Sequence, residues 1–340
     1  MSMVAAAVAA VERAPLPDRV TRAGIALLVN RTAHRLRRAD AGAEARFAAD
    51  MAGWPIAVHV ADANAQHYEL PAEFFALALG PRRKYSCCLY DGATSLAAAE
   101  DRALEETAEH AQLADGQRIL ELGCGWGSLT LWMAEHYPHA EIVAVSNSHG
   151  QRAHIEAELV RRGLRNVTVV TADMNSFAPV GRFDRVVSVE MFEHMANWQA
   201  LLARVHAWLV PDGRVFVHVF SHNAAPYRFD HTDKADWIAT HFFTGGIMPS
   251  HGLIRQVAHR FEVEADWRWS GIHYERTAND WLENFDRHTK QIEAILTQVY
   301  GADAMLWKRR WRLFFLATAG LFGARGGSAW GISHYRLRPV

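Results

Sequence analysis

Cysteine is scarce. Of 340 residues only Cys87, Cys88 and Cys124 are cysteines, with no even, spaced framework. A disulfide-stapled fold is therefore not expected, and a reducing, cytoplasmic setting is. Net charge is also nearly absent, at -1. No broad field of one sign favours nucleic acid or an anionic membrane surface. Long apolar runs are missing: the best candidate, "LFFLATAGLFGA" (Leu313–Ala324), has twelve residues, against about 20 for a membrane span. It reads as a buried helix. The opening "MSMVAAAVAAVERAPLPDRV" lacks a basic start and a long apolar core, so a secretory signal is not expected. Internal repeats and low-complexity linkers are absent, and no metal site is expected.

What is present is a large apolar complement, 50% of residues, enough for one α/β domain with appended helices. Residues 1–100 read as a mostly helical segment covering a site, with polar breaks near Pro15–Asp18 and Pro81–Lys84. Residues 101–225 read as an α/β core and 226–340 as a helical cap with two late strands. In the core, strand-like "RILELG", "EIVAVSNS", "NVTVVTAD", "RFDRVVSVE" and "RVFVHVF" alternate with helical "SLTLWMAEHY", "GQRAHIEAELVRRG" and "NWQALLARVHAWLVPDG". Such alternation predicts a parallel, doubly wound sheet. "LVPDG" reads as a helix exit and turn. "FEVEADWRW" (Phe261–Trp269) and "WGISHYRLR" (Trp330–Arg338) would add antiparallel strands at one edge. The Trp- and Phe-rich helices between them would cover the sheet's carboxyl edge, where ligands of open α/β sheets bind.

"ILELGCGWGSLT" places Gly123, Gly125 and Gly127 at the turn from the first strand to the first helix. Glycines there permit a tight turn and close approach of backbone to a ligand. A nicotinamide site wants G-x-G-x-x-G and a ribose-binding acid roughly 20 residues on. Here the pattern is G-x-G-x-G after Glu121, and the second strand ends in "VSNS" without an acid. Both departures weigh against a dehydrogenase.

After the fourth strand comes "SVEMFEHMANW". If it is helical, Glu190, Glu193 and His194 share one face at i, i+3 and i+4. Spacing alone fits equally an exposed first helix turn, where acids favour the helix dipole.

These stretches together resemble the cyclopropane-fatty-acid synthase superfamily of class I S-adenosylmethionine-dependent methyltransferases, and its coclaurine N-methyltransferase-like branch most closely. The resemblance rests on "KYSCCLY", "ELGCGWG", "VSNSHGQ", "EMFEHM", "FVHVFSH", "HYERTANDWLENFD" and "WRLFFLATAGLFGARGGSAW", from about Arg83 to Arg338. It implies a Rossmann-like sheet with an antiparallel edge strand, and S-adenosylmethionine as cofactor with S-adenosylhomocysteine as product. Tyr85 and Ser86 would meet its methionine part, and the loop of Glu121, Gly123 and Gly125 would approach it. Ser146, Asn147 and Gln151 would surround ribose and adenosine, and Asp173 and Met174 the adenine edge. In the amine methyltransferases both glutamates and the histidine of E-x-x-E-H contribute to catalysis, implying Glu190, Glu193 and His194. In the cyclopropane synthases bicarbonate is held by residues matching Cys87, Glu193, His218 and Tyr274.

The two branches need different chemistry. An alkylammonium has no free lone pair, and a nearby carboxylate can attract it and accept its proton. Two close carboxylates push one pKa upward, which suits one of them to act as base. An alkene instead yields a carbocation that must lose a proton, the task of bicarbonate. Many cyclopropane synthases carry glycine where this chain has Glu190, so the resemblance leans toward an amine acceptor, with an unsaturated acyl lipid as alternative. The tail "FGARGGSAW" has Ala324 and Ala329 where the plant enzymes carry tyrosine and glutamate, which argues for an acceptor smaller than an alkaloid. A non-catalytic cofactor-binding protein would have no use for E-x-x-E-H. Plainer readings stand beside these: Cys87 and Cys88 as buried packing, His218 as a satisfied core histidine, Tyr274 as an aromatic anchor, Met191 and Met195 as core, and Pro81–Lys84 as a solvated turn.

Overall fold

The computed structural model describes residues 11–12, 14, 16–58, 70–233 and 236–340. Most of the opening stretch, for which no secretory signal is expected, lies outside the described residues. Helices α1 (Asp18–Leu36), α2 (Ala43–Met51), α3 (Ala72–Ala78) and α4 (Leu96–Ala111) come first. Strand and helix then alternate through β1 (Arg118–Leu122), α5 (Ser128–His136), β2 (Glu141–Ser146), α6 (His149–Arg162), β3 (Val167–Thr171), β4 (Phe183–Val189), α7 (Trp198–Trp208) and β5 (Leu209–His222). The cap carries β6 (Tyr227–Arg228), α8 (Trp237–His241), β7 (Ile247–Met248) and α9 (Leu253–Val257). After β8 (Phe261–Ser270) come α10 (Gly271–Arg287), α11 (Thr289–Tyr300), α12 (Ala304–Phe322), α13 (Ala324–Gly327) and β9 (Trp330–Pro339).

The sheet order is β3-β2-β1-β4-β5-β9-β8. β1 to β5 run parallel, β9 is antiparallel to β5, and β8 is antiparallel to β9. The expected doubly wound sheet with an antiparallel edge is therefore observed. Alternation sorts each strand onto two cores: Ile119 packs with Met133, Val187 and Phe216 on one face, while Leu120 and Leu122 pack with Trp198, Leu201 and Val217 on the other. The chain winds outward from β1 to β3 and returns to β4 beside β1. That reversal opens a crevice at the carboxyl ends of β1 and β4, and the glycine loop and the Glu190 loop flank it.

Two local expectations are corrected. "LVPDG" does not end in a turn: Leu209–Gly213 is continuous with β5, across a shift in which Leu209 pairs Phe183 and Arg214 pairs Arg185. The bulge holds Pro211, which has no N–H to offer a ladder. "EMFEHM" is not an α-helix either. Glu190 has φ +47, a left-handed conformation that breaks helical continuity, and only Phe192–His194 forms a short 3-10 turn.

Candidate active site

The crevice has two connected parts. The first lies over the glycine loop and is lined by all ten residues expected to hold the cofactor: Tyr85, Ser86, Glu121, Gly123, Gly125, Ser146, Asn147, Gln151, Asp173 and Met174. Gly123 has φ +83, and a Cβ there would lie 2.6 Å from Met191 Cβ. Gly125 has φ +53 with nothing within 4 Å of an added Cβ, so its backbone borders open space. Ser146 Oγ donates to Gln151 Oε1 at 2.6 Å. Gln151 Nε2, Ser128 Oγ and Trp126 Nε1, all on residues lining this cleft, are buried without a hydrogen-bond partner among the described residues. Buried polar atoms normally have partners, so these unused donors fit a polar ligand in the cleft. Ser128 and Trp126 were not anticipated, although both lie in the quoted glycine stretch. Glu121 accepts from Thr130 Oγ1 at 2.5 Å, and burial pushes its carboxyl up to about 7.

The second part is a cavity of about 820 Å³ between the cap and α1. Phe220, Phe229, Phe243, Phe314 and Phe322 supply aromatic walls. Asp230, Asp233 and Asp236 bring negative charge and Arg31 and Arg35 positive charge. Tyr85, Glu190 and His194 line both parts, so the cavities meet at these three side chains.

Glu190 is held from three sides. Cys87 N–H donates to Oε1 at 2.9 Å, His218 Nε2 lies 3.2 Å from the same oxygen, and Tyr274 O–H donates to Oε2 at 2.7 Å. Burial raises its pKa, while the Lys84 ammonium and the Cys87 and Tyr274 hydrogen bonds offset part of that rise. Lys84 is itself buried, with Nζ donating to Ser86 Oγ and to Cys87 O, each at 2.6 Å. The solvated-turn reading of Pro81–Lys84 is thus corrected. Glu100 draws the segment inward by accepting from the N–H groups of Arg82 and Lys84, and nothing in the local pattern announced a partner so far along the chain.

The expected group divides. Glu193 does not share a face with Glu190, and it lines neither part of the crevice. Its Oε1 accepts from Phe220 N–H at 2.6 Å, tying the 3-10 turn to β5. Burial and then the nearby Glu190 charge raise its pKa well above the ordinary carboxylate value. Cys87 contributes its backbone N–H; its Sγ turns to Cys88 O at 3.3 Å, and burial pushes the thiol up. His218 and Tyr274 do converge on the site, and Tyr274 stacks on Phe322 with centroids 4.4 Å apart. His194 stacks on Phe243 at 4.4 Å. Met191 and Met195 are core residues that also border the cofactor part.

The sequence profile described as mycolic acid cyclopropane synthetase matches residues 58–326. The chain belongs to that family. Within it, the chain is 35% identical over 285 residues to (S)-coclaurine N-methyltransferase of Thalictrum flavum subsp. glaucum, covering 82% of this chain and 79% of the relative. It is 31% identical over 267 residues to cyclopropane-fatty-acyl-phospholipid synthase of Escherichia coli strain K12, covering 78% of this chain and 65% of that one. The crystal structure of a coclaurine N-methyltransferase bound to N-methylheliamine and S-adenosylhomocysteine superposes with a TM-score of 0.94 at 30% identity, covering 99% of this chain and all of the other. This member of the family also shares its fold with a cyclopropane synthase from Mycobacterium tuberculosis, at 24% identity and a TM-score of 0.70.

Proposed function

We propose that this chain is an S-adenosylmethionine-dependent N-methyltransferase whose Glu190 binds and deprotonates a hydrophobic amine. One observation carries the choice of acceptor: three of the four residues that would hold bicarbonate in an alkene-modifying relative, Cys87, His218 and Tyr274, here surround the Glu190 carboxylate. Glu190 takes the place of the external base. The fourth, Glu193, accepts from Phe220 N–H and lines neither part of the crevice.

S-adenosylmethionine supplies an electrophilic methyl group on a sulfonium. Gln151, Ser146, Asn147, Asp173 and the glycine loop would hold it in the first part of the crevice. The aromatic walls of the second part exclude water and offer ring faces to a cation. Glu190 draws the ammonium to the junction and accepts its N–H proton, freeing the lone pair. Burial raises the Glu190 pKa, which suits that step, and the Lys84 charge offsets part of the rise. His194, at the same junction, orients the amine. At about 820 Å³ the cavity is in the range for drug-sized ligands, so the acceptor is larger than the tail sequence led us to expect.

Incubation with S-adenosylmethionine, a panel of hydrophobic amines and an unsaturated phospholipid tests the proposal. Tandem mass spectra that place the new methyl on nitrogen are expected. Loss of the alkene without any N-methylated product would overturn the amine reading. Titration with S-adenosylmethionine and with NAD, read by calorimetry, checks the cofactor, and binding of NAD alone would overturn it.

A further inference from the structure

Behind Glu190 three buried histidines stand in line. His218 on β5 and His334 on β9 are register partners in the antiparallel pair. His218 Nε2 lies 3.2 Å from Glu190 Oε1, and its Nδ1 is 2.8 Å from His334 Nε2. His334 Nδ1 is 2.8 Å from His110 Nδ1 on α4. His110 Nε2 then lies 3.3 Å from Glu106 Oε1, one helical turn earlier, and the Glu106 side chain is 18% exposed and bonded to Arg102. His218 and His334 are fully buried. Trp269 packs against both rings, and Trp267 stacks on His110 at 3.8 Å. Packing alone would be served by apolar residues. A row in which every ring nitrogen meets the next polar atom is a different arrangement.

We propose that Glu190, His218, His334, His110 and Glu106 form a proton relay that carries the substrate proton from the closed site to solvent. The inference rests on the amine reading for its task, but the wiring is independent of it. Methylating R2NH2+ releases one proton: the ammonium N–H goes to Glu190, the nitrogen lone pair forms the N–C bond, and the broken C–S pair stays on sulfur. With Glu190 protonated and each ring neutral, four protons serve four links. When each proton crosses its own link, Glu190 is left ionised and Glu106 protonated, and Glu106 then gives its proton to water. No ring becomes an imidazolium in this step; each only exchanges tautomers. Burial lowers the pKa of all three rings and raises that of Glu106, which keeps the rings neutral and the exit carboxyl able to hold a proton. The charges facing the row are Lys84 at the inner end and Arg336, Arg102, Glu109 and Asp91 at the outer end. Before the next passage each ring must return its N–H to the first nitrogen, so the reset is slower than the shift.

His334, His110 and Glu106 are thus positioning residues that act through Glu190. Nitrogen-15 NMR of histidine-labelled protein without cofactor tests the wiring directly. The three rings are expected to change tautomer at one common midpoint, and Glu190→Gln is expected to remove that transition from all three. Rings that titrate separately, or that keep their transition in Glu190→Gln, would overturn the relay whether or not amines are methylated. Kinetics supply the second readout. Glu106→Gln, at the surface and nearly isosteric, and His334→Asn are expected to lower kcat about ten-fold, raise the solvent deuterium isotope effect on kcat and leave KM unchanged. Wild-type kcat and isotope effect in a folded Glu106→Gln protein would sink the proposal. A wild-type protein that fails to methylate any amine while its rings titrate together would count against the amine reading and not against the relay.

Discussion

At φ +47 the backbone of Glu190 costs about 1–2 kcal/mol relative to a right-handed conformation, and three hydrogen-bonding partners on its carboxylate hold it there. Glycine suits that backbone better. Glu190→Gly is therefore expected to fold, to lose amine methylation, and to leave a pocket edged by Cys87 N–H, His218 and Tyr274 that accepts a small anion. Added bicarbonate or formate should restore part of the rate, read as turnover against anion concentration. A rate insensitive to anions would remove the Glu190 carboxylate from proton transfer. Glu121 makes a separate prediction. Its carboxyl rises from an ordinary 4.5 to about 7 in the fold, so the folded state binds its proton more tightly than the unfolded state. Its stabilising contribution is full below about 4.5 and declines as pH climbs to about 7. Glu121→Gln should remove that slope from the cofactor-free protein, up to about 3 kcal/mol, as measured by urea unfolding at about pH 5 and about pH 8.

Elements differ in how plainly the sequence announces them. The apolar runs of β1 to β4 are bounded by turns and are legible without a structure, as are α6 and the late strands β8 and β9. The 3-10 turn after β4 is not, because one left-handed residue overrides a helical spacing that is locally sound. Lys84 is equally illegible: its burial depends on Glu100, Ser86 and the Cys87 carbonyl closing around it. Helix α6 shows how an element positions the site. Ser148 caps it by accepting from Gln151 N–H at 3.3 Å, and its own N–H donates to Ser146 Oγ at 3.0 Å. Ser148→Ala is expected to cost about 1 kcal/mol in urea unfolding and to weaken S-adenosylhomocysteine binding in calorimetry, because Gln151 N–H loses its side-chain anchor, while the backbone bond to Ser146 stays. Unchanged affinity would mean that the cap serves the helix alone.

On the scale of the whole molecule, the cap and α3 close over the sheet through an aromatic cluster. Trp311 is fully buried between Phe74, at 4.9 Å, and Phe242, at 5.0 Å. Trp311→Ala should cost about 3–5 kcal/mol in urea unfolding. Since this cluster sits behind the acceptor cavity, KM for the amine should rise while S-adenosylhomocysteine affinity changes little. Equal loss of both would show that the two halves of the crevice fold as one unit. Among the described residues no helix is long and apolar enough to cross a membrane, and α12, which contains most of the longest apolar run, is spent on this cap.

Local pattern in the sequence determined the alternation of strand and helix and the glycine turn at the crevice, because strand periodicity and turn chemistry act over a few residues; the residues around the first part of the crevice were implied by the family resemblance instead. Only the tertiary structure decided which polar side chains meet. Glu190 and Glu193 are three positions apart, yet one reaches the junction of two cavities and the other turns into the core. His110, His218 and His334 are separated by more than a hundred residues at each step and come into line only when β9 pairs with β5 and α4 packs across them. Contacts of that range depend on chain topology and on the burial that excludes water from competing for the same hydrogen bonds.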